Sequence, residues 1–275
     1  MDLADRVVVV TGGASGIGEA LARRFSAEGA RHVVVADLDG DGAQRVAAEV
    51  GGSAASIDVS DAAAIEKLVD DTEREHGPID LFFSNAGYLT LGGLEAPIEL
   101  LDRMWGVHVL AHIHAARVLI PRMVERGGGY LASTASAAGL LTQFGSLHYA
   151  ITKRAAIALA EWIAITHGHQ GIKVSVLCPQ AVETNIGINS PHRDRTEDAL
   201  GVADADGVMQ PEDVAQVCVD AIREERFHIL PHPEVAEYVK RKGADVDRWI
   251  GGMQRWQGSL FPGDQHPANW LLKDS

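Results

Sequence analysis

The stretch Val7-Val8-Val9-Val10-Thr11-Gly12-Gly13-Ala14-Ser15-Gly16-Ile17-Gly18 decides how the chain reads. Four valines suit a buried strand, and the glycines suit a tight turn. The residues that follow, Glu19-Ala20-Leu21-Ala22-Arg23-Arg24-Phe25, carry apolar positions at helical spacing. A glycine turn that opens a helix presents unpaired backbone N–H groups and the positive end of the helix dipole, which together suit a pyrophosphate. Glycine is needed where a side chain would block the phosphates or hold the helix off the strand. Gly12, Ser15, Gly16, Ile17 and Gly18 are therefore expected to line such a site. The next apolar run, Val33-Val34-Val35-Ala36, ends on Asp37, the acidic position that suits a ribose. Strand, glycine turn, helix and acid-terminated strand together predict a dinucleotide-binding unit.

Bulk properties narrow the class. The 275 residues suffice for one α/β domain, and 46% hydrophobic with 23% charged residues is ordinary for a globular chain. A net charge of −14 repels nucleic-acid backbones and anionic lipid, so neither is an expected partner. Cys178 and Cys218 sit in apolar stretches without CxxC spacing, which predicts buried free thiols and no zinc site or disulfide framework. The start, Met1-Asp2-Leu3-Ala4-Asp5-Arg6, is acidic and the apolar run after it is too short for a signal peptide. No apolar stretch approaches the roughly 20 residues of a membrane span. A cytoplasmic location is the expectation.

Further along, strands are expected at 33–36, 54–59, 79–83, 130–133, 173–178 and 227–230. Helices are expected at 42–50, 62–76, 98–126 and 149–167, with another opening at Pro211. Alternation of this kind implies parallel pairing through right-handed crossovers, with both sheet faces covered. A small-residue loop is expected up to Gly145, and a polar, aperiodic segment at 180–210 reads as a substrate loop. The tail, 233–275, places Trp249, Met253, Trp256 and Leu260 on one helical face. That face fits an apolar stripe packed on the 1–232 domain, a subunit contact or a cover over the site.

Thr11 to Gly18, Asp58-Val59, Asn85-Ala86-Gly87, Ser136, Tyr149 with Lys153, and Pro179 to Thr184 follow one another in an order and spacing that resemble the short-chain dehydrogenase/reductase family. The resemblance covers about residues 5–230. It implies a Rossmann-like doubly wound parallel sheet of about seven strands and an NAD(P)-dependent oxidoreductase. It also implies that Asp58 and Val59 contact adenine, that Asn85, Ala86 and Gly87 line the cofactor, and that Pro179, Val182 and Thr184 lie at the nicotinamide. A homotetramer or homodimer, with the two long helices in contact, is the assembly it suggests.

The chemistry can also be argued from the residues. Tyr149 and Lys153 are four apart in a helical stretch and so share a face. Lowering a tyrosine pKa by about three units takes roughly 4 kcal/mol of phenolate stabilisation. A lysine ammonium about 4 Å away at an effective dielectric near 20 supplies a quantity of that order, and adding the positive nicotinamide ring makes the shift attainable. Lys153 is also expected to hold the nicotinamide ribose. Ser136 precedes Tyr149 by 13 positions, the family's offset, and is preferred over Ser133 and Thr134 as the hydroxyl that binds the substrate oxygen. Asp37 would accept from both ribose hydroxyls and repel a 2′-phosphate, and the next residue is the uncharged Leu38, so NAD is expected over NADP.

Two positions depart from the family pattern. His108 stands where an asparagine usually helps a water relay protons to the lysine, so a histidine relay that titrates near neutrality is the expectation. Gln180 replaces a common glycine after Pro179. His108 and His112 have a helical i,i+4 spacing but lack an HExxH glutamate, and Asp37-Asp39-Asp41-Gly42 lacks the twelfth-position glutamate of a calcium loop; no metal is expected. Leu89, Leu91, Leu140, Leu141, Phe144, Leu147, Ile186 and Ile188 suggest an apolar secondary alcohol or ketone of moderate size. The rival reading is an NAD-binding sensor or scaffold with vestigial catalysis.

Overall fold

The computed structural model describes residues 1–186 and 206–260. The expected substrate-loop positions 187–205, Ile188 among them, and positions 261–275 lie outside the described residues. Seven strands form one parallel sheet in the order β3-β2-β1-β4-β5-β6-β7. They are β1 (Val7–Thr11), β2 (His32–Asp37), β3 (Ser53–Ser56), β4 (Leu81–Ser84), β5 (Gly129–Thr134), β6 (Ile172–Leu177) and β7 (His228–Ile229). The valine run of β1 explains the layering. Val7 and Val9 face one side with helices α3 (Ala62–His76), α5 (Ala111–Glu125) and α7 (Leu147–His167). Val8 and Val10 face the other with α1 (Gly16–Ala27), α2 (Gly40–Val50) and α8 (Pro211–Arg223). A strand covered on both faces has no polar side, which is why its sequence is continuous rather than alternating.

Strand order reverses at β1, which pairs with β2 on one side and β4 on the other. Crossovers leave β1 and β4 in opposite directions, so a crevice opens at their carboxyl ends. Helix starts are fixed locally: Asp39 accepts from the Gly42 N–H at the start of α2, and Asp61 from the Ala63 N–H at the start of α3.

Three sequence expectations need correction. The span 98–126 is not one uniform helix: α4 (Ile98–Trp105) passes through a π-helical turn, Gly106–Leu110, into α5. The small-residue loop contains a short helix, α6 (Ala137–Leu141), capped by the Ser136 hydroxyl. Strand β3 stops at Ser56, because the chain must turn out of the sheet to reach Asp61. Among the described residues the tail forms two helices, α9 (Glu234–Ala244) and α10 (Val246–Leu260); Trp249 of α10 packs partly buried against the core, while no residue of this helix is fully buried.

Candidate active site

A cleft of about 1470 Å³ runs along the carboxyl edge of the sheet. The backbone of its phosphate end is built by glycine. Gly12 (φ +66°) and Gly16 (φ +52°) are left-handed, and a Cβ at Gly12 would stand 2.6 Å from the Ala86 Cα. A Cβ at Gly18 would lie 1.9 Å from the Gly12 carbonyl oxygen, so this glycine does not line the cleft but lets α1 close on the turn. Ser15, Gly16 and Ile17 line the opening, with the Ser15 hydroxyl making no cap bond to α1.

Asp37 is held from both sides. One carboxylate oxygen accepts from the Ala14 N–H and the other from the Asp39 N–H, each at 3.0 Å. Leu38 beside it is 74% exposed and forms part of the cleft rim with Asp58 and Val59. Arg45, not singled out in the sequence, also reaches this end: its guanidinium donates to the Ala14 carbonyl at 2.9 Å and to Glu19 at 2.7 Å. Glu19 and Glu49 raise its pKa and pair its charge. The i,i+4 spacing of Arg45 and Glu49 was visible in the sequence, but the approach of α2 to the glycine turn was not.

Asn85 braces the floor. Its Nδ2 donates to the Thr11 and Gly12 carbonyls at 3.1 and 3.2 Å, and its Oδ1 accepts from the Thr134 hydroxyl at 2.9 Å. The same side chain therefore ties the ends of β1, β4 and β5, while Ala86 and Gly87 present small surfaces to the cleft.

Ser136, Tyr149 and Lys153 line the cleft together. The Ser136 Oγ accepts from the Ala138 N–H at 3.1 Å and donates to the Pro179 carbonyl over 3.4 Å, a long bond that leaves its proton available. The Lys153 Nζ donates to the Thr134 carbonyl at 2.9 Å and stands 5.5 Å from the centre of the Tyr149 ring. In the cleft without cofactor, burial sets the ionisation of both groups. Burial pushes Tyr149 up to about 12, against a hydrogen bond with Ser136 that lowers it, and burial pulls Lys153 down to about 8. Desolvation disfavours the charged form of both groups and is the largest cause of each shift.

His108 also differs from its expected role. It sits in the π-helical turn, fully buried behind the cleft rather than in it. Its Nε2 accepts from the Tyr88 N–H at 3.2 Å, which places the proton on Nδ1, 3.0 Å from the Thr152 hydroxyl. Thr152 in turn donates towards the carbonyls of His148 and Tyr149, at 2.9 and 3.2 Å. Burial, with Lys153 nearby, pushes its pKa well below the ordinary histidine value, so it does not titrate near neutrality. Its ring bonds join the loop after β4 to the turn of α7 that carries Tyr149.

Pro179, Val182 and Thr184 line the cleft beyond the serine, as does Gln180, whose Oε1 is buried without a hydrogen-bond partner. Of the apolar residues expected near substrate, Leu89, Leu141, Phe144 and Ile186 line the cleft. Leu91, Leu140 and Leu147 do not, Leu91 and Leu140 being core residues. Tyr238, Arg241, Trp249, Met253 and Trp256 complete the far wall. Cys178 and Cys218 are buried free thiols.

The residues present fit a dinucleotide: glycines where a Cβ would collide, an acid fixed at the end of β2, and a cleft longer than one small molecule needs. Comparisons with known proteins agree on the class. A family model described as short chain dehydrogenase matches residues 6–195. A 1-deoxy-11-beta-hydroxypentalenate dehydrogenase of Streptomyces exfoliatus is 35% identical over 91% of this chain and 91% of its own. A meso-2,3-butanediol dehydrogenase of Serratia marcescens is 35% identical over 78% of this chain and 85% of its own. Among solved structures, a short chain dehydrogenase/reductase from Burkholderia phymatum in complex with NAD superposes with a TM-score of 0.81 at 28% identity, over 90% of this chain and 96% of that one. The chain belongs to the short-chain dehydrogenase family and is an oxidoreductase of that class.

Proposed function

We propose that this protein transfers hydride reversibly between NAD(H) and an apolar secondary alcohol or its ketone. The observation that carries the reading is that Ser136, Tyr149 and Lys153 line one cleft that Asp37 and the glycine turn also line. Bound NAD+ supplies the hydride-accepting carbon and a positive charge beside the phenol. Tyr149 holds the mobile proton at its phenol oxygen, giving it to the ketone oxygen in reduction and taking it from the hydroxyl in oxidation. Ser136 turns its loosely held hydroxyl proton from the Pro179 carbonyl to the substrate oxygen and fixes the reacting carbon. Lys153 places an ammonium group within reach of the phenol and of ribose hydroxyls, anchored on the Thr134 carbonyl.

Preference for NAD over NADP is supported by the pinned carboxylate of Asp37 and by Arg45, whose charge is already paired with Glu19 and Glu49. Self-association through α4 and α7 is supported by Ile98, Trp105, Ile151, Trp162 and Ile165, all exposed on those helices.

The test is NADH formation from NAD and a panel of secondary alcohols at mildly alkaline pH, with Tyr149→Phe as control. Turnover that vanishes in the variant while NAD still binds is the expected result. Equal turnover in both proteins overturns the assignment of Tyr149. Silence across the panel, with NAD bound, favours a cofactor-binding sensor.

A further inference from the structure

We propose that the carboxyl-terminal helix α10 is the substrate wall of this enzyme and that it selects a bulky, uncharged ring alcohol or ketone. The inference rests on the oxidoreductase reading above and adds the occupant of the cleft's far end. Helix α10 repeats apolar residues at Trp249, Ile250, Met253, Trp256 and Leu260, a stripe that ordinarily faces a core. Yet none of its residues is buried, and Trp256 remains 38% exposed. Trp249 leans partly on the core, and with Met253 and Trp256 it borders the same cleft as Ser136 and Tyr149, so the surface that would cover the rest of this face is whatever fills the cleft.

The wall is held in place from both ends. Trp256 meets Phe144 edge to face, with ring centres 5.4 Å apart, and Trp249 leans on Tyr238 at 6.4 Å. The preceding helix α9 is fastened by Lys242, which donates to the Leu140 carbonyl at 2.6 Å, and by the Tyr238 hydroxyl, which donates to Asp206 at 3.0 Å. Lys242 thus anchors the wall to α6, the helix whose cap is Ser136. Indole and benzene faces set across from a hydride-transfer centre favour a broad, rigid apolar body over a two-carbon arm.

Charge argues for a neutral ligand. Arg241 at this end is ion-paired to Glu237 at 3.1 Å. Asp206 and Glu234 lie close enough to Tyr238 to raise its pKa, so the rim is not a free cationic site for a carboxylate.

The experiment compares borneol, a neutral bicyclic secondary alcohol, with isopropanol, and a bicyclic hydroxy acid with its methyl ester, on the full-length protein with NAD. Binding of camphor, the ketone of borneol, is titrated calorimetrically in parallel. Wild type should prefer borneol over isopropanol, and the ester over the acid, by about tenfold or more in kcat/KM. In Trp256→Ala the borneol-to-isopropanol ratio should fall by about tenfold, with camphor binding weakened to match, and Trp256→Phe should recover most of both. An unchanged ratio in Trp256→Ala, a preference for the acid, or camphor that does not bind wild type overturns the wall. If camphor binds through Trp256 while no alcohol is oxidised, the wall stands and the proposed NAD-linked alcohol oxidation falls.

Discussion

Acid should destabilise this protein through histidines that it buries neutral, and His112 allows the effect to be worked out. His112 is buried on α5, and burial, with Lys153 nearby, lowers its pKa to about 3. In the unfolded chain the ordinary value near 6.5 applies. The unfolded state therefore takes up the proton first as pH falls. His112 costs nothing well above pH 6.5, and stability is lost progressively as pH drops from there towards 3. At pH 5 the chain is about 1.5 units below the unfolded value, which at about 1.36 kcal/mol per unit is about 2 kcal/mol. Against a typical total of about 5–15 kcal/mol this is a large share. His108, lowered well below its ordinary value, pulls in the same direction, as do His32, His148 and His228. The measurement must therefore be a double difference. Urea unfolding of wild type and His112→Gln at pH 7 and pH 5 should show wild type losing about 2 kcal/mol more than the variant. Equal losses would mean that His112 is protonated in the folded protein, and the burial argument would fail.

Other perturbations follow from the same geometry. Asp37→Ser removes the carboxylate that meets a 2′-phosphate and should narrow the gap between NAD and NADP affinity by an order of magnitude or more, read by titration with both. Gly18→Ala drives a Cβ to within 1.9 Å of the Gly12 carbonyl and should abolish NAD binding; near-normal affinity would show that the turn can yield. Thr152→Val strands the buried Nδ1–H of His108 and should cost about 1–3 kcal/mol in urea unfolding. Light scattering should find an oligomer, and Trp162→Glu with Ile165→Glu should shift it towards monomer; a monomeric wild type would remove α7 as a contact.

The sheet was legible in the sequence because its signal is local. Each buried parallel strand is a short apolar run, each crossover helix repeats at helical spacing, and Gly12, Gly16 and Gly18 mark the turn between them. Boundaries slipped where tertiary contacts decide them. Residues 98–126 keep an apolar pattern throughout, so nothing in that periodicity reveals that Gly106–Leu110 is wound as a π turn. Its cause is long-range: His108 must reach both the Tyr88 N–H and the Thr152 hydroxyl, partners 20 and 44 residues away. A π turn of this kind re-aims side chains in the middle of a helix, often at functional sites.

The same distinction applies at the site. Motif positions from Gly12 to Thr184 fall around one cleft because each motif ends a strand or opens a helix, and strand ends in such a sheet converge on the switch point. Arg45, Tyr238 and Arg241 carry no motif; they arrive by the packing of α2 and α9, which spacing along the chain does not encode. Titration was the least legible property of all. Tyr149 and Lys153 at helical spacing suggest a phenol made acidic by its neighbour and the nicotinamide charge, a reckoning that leaves out the desolvation of both groups. In the folded protein both are buried, and desolvation drives Tyr149 up to about 12 and Lys153 down to about 8. In this state the phenol is neutral while Lys153 keeps most of its positive charge at neutral pH. Under the proposed function the phenol becomes a base when the positive charge of oxidised cofactor joins that of the lysine in the cleft.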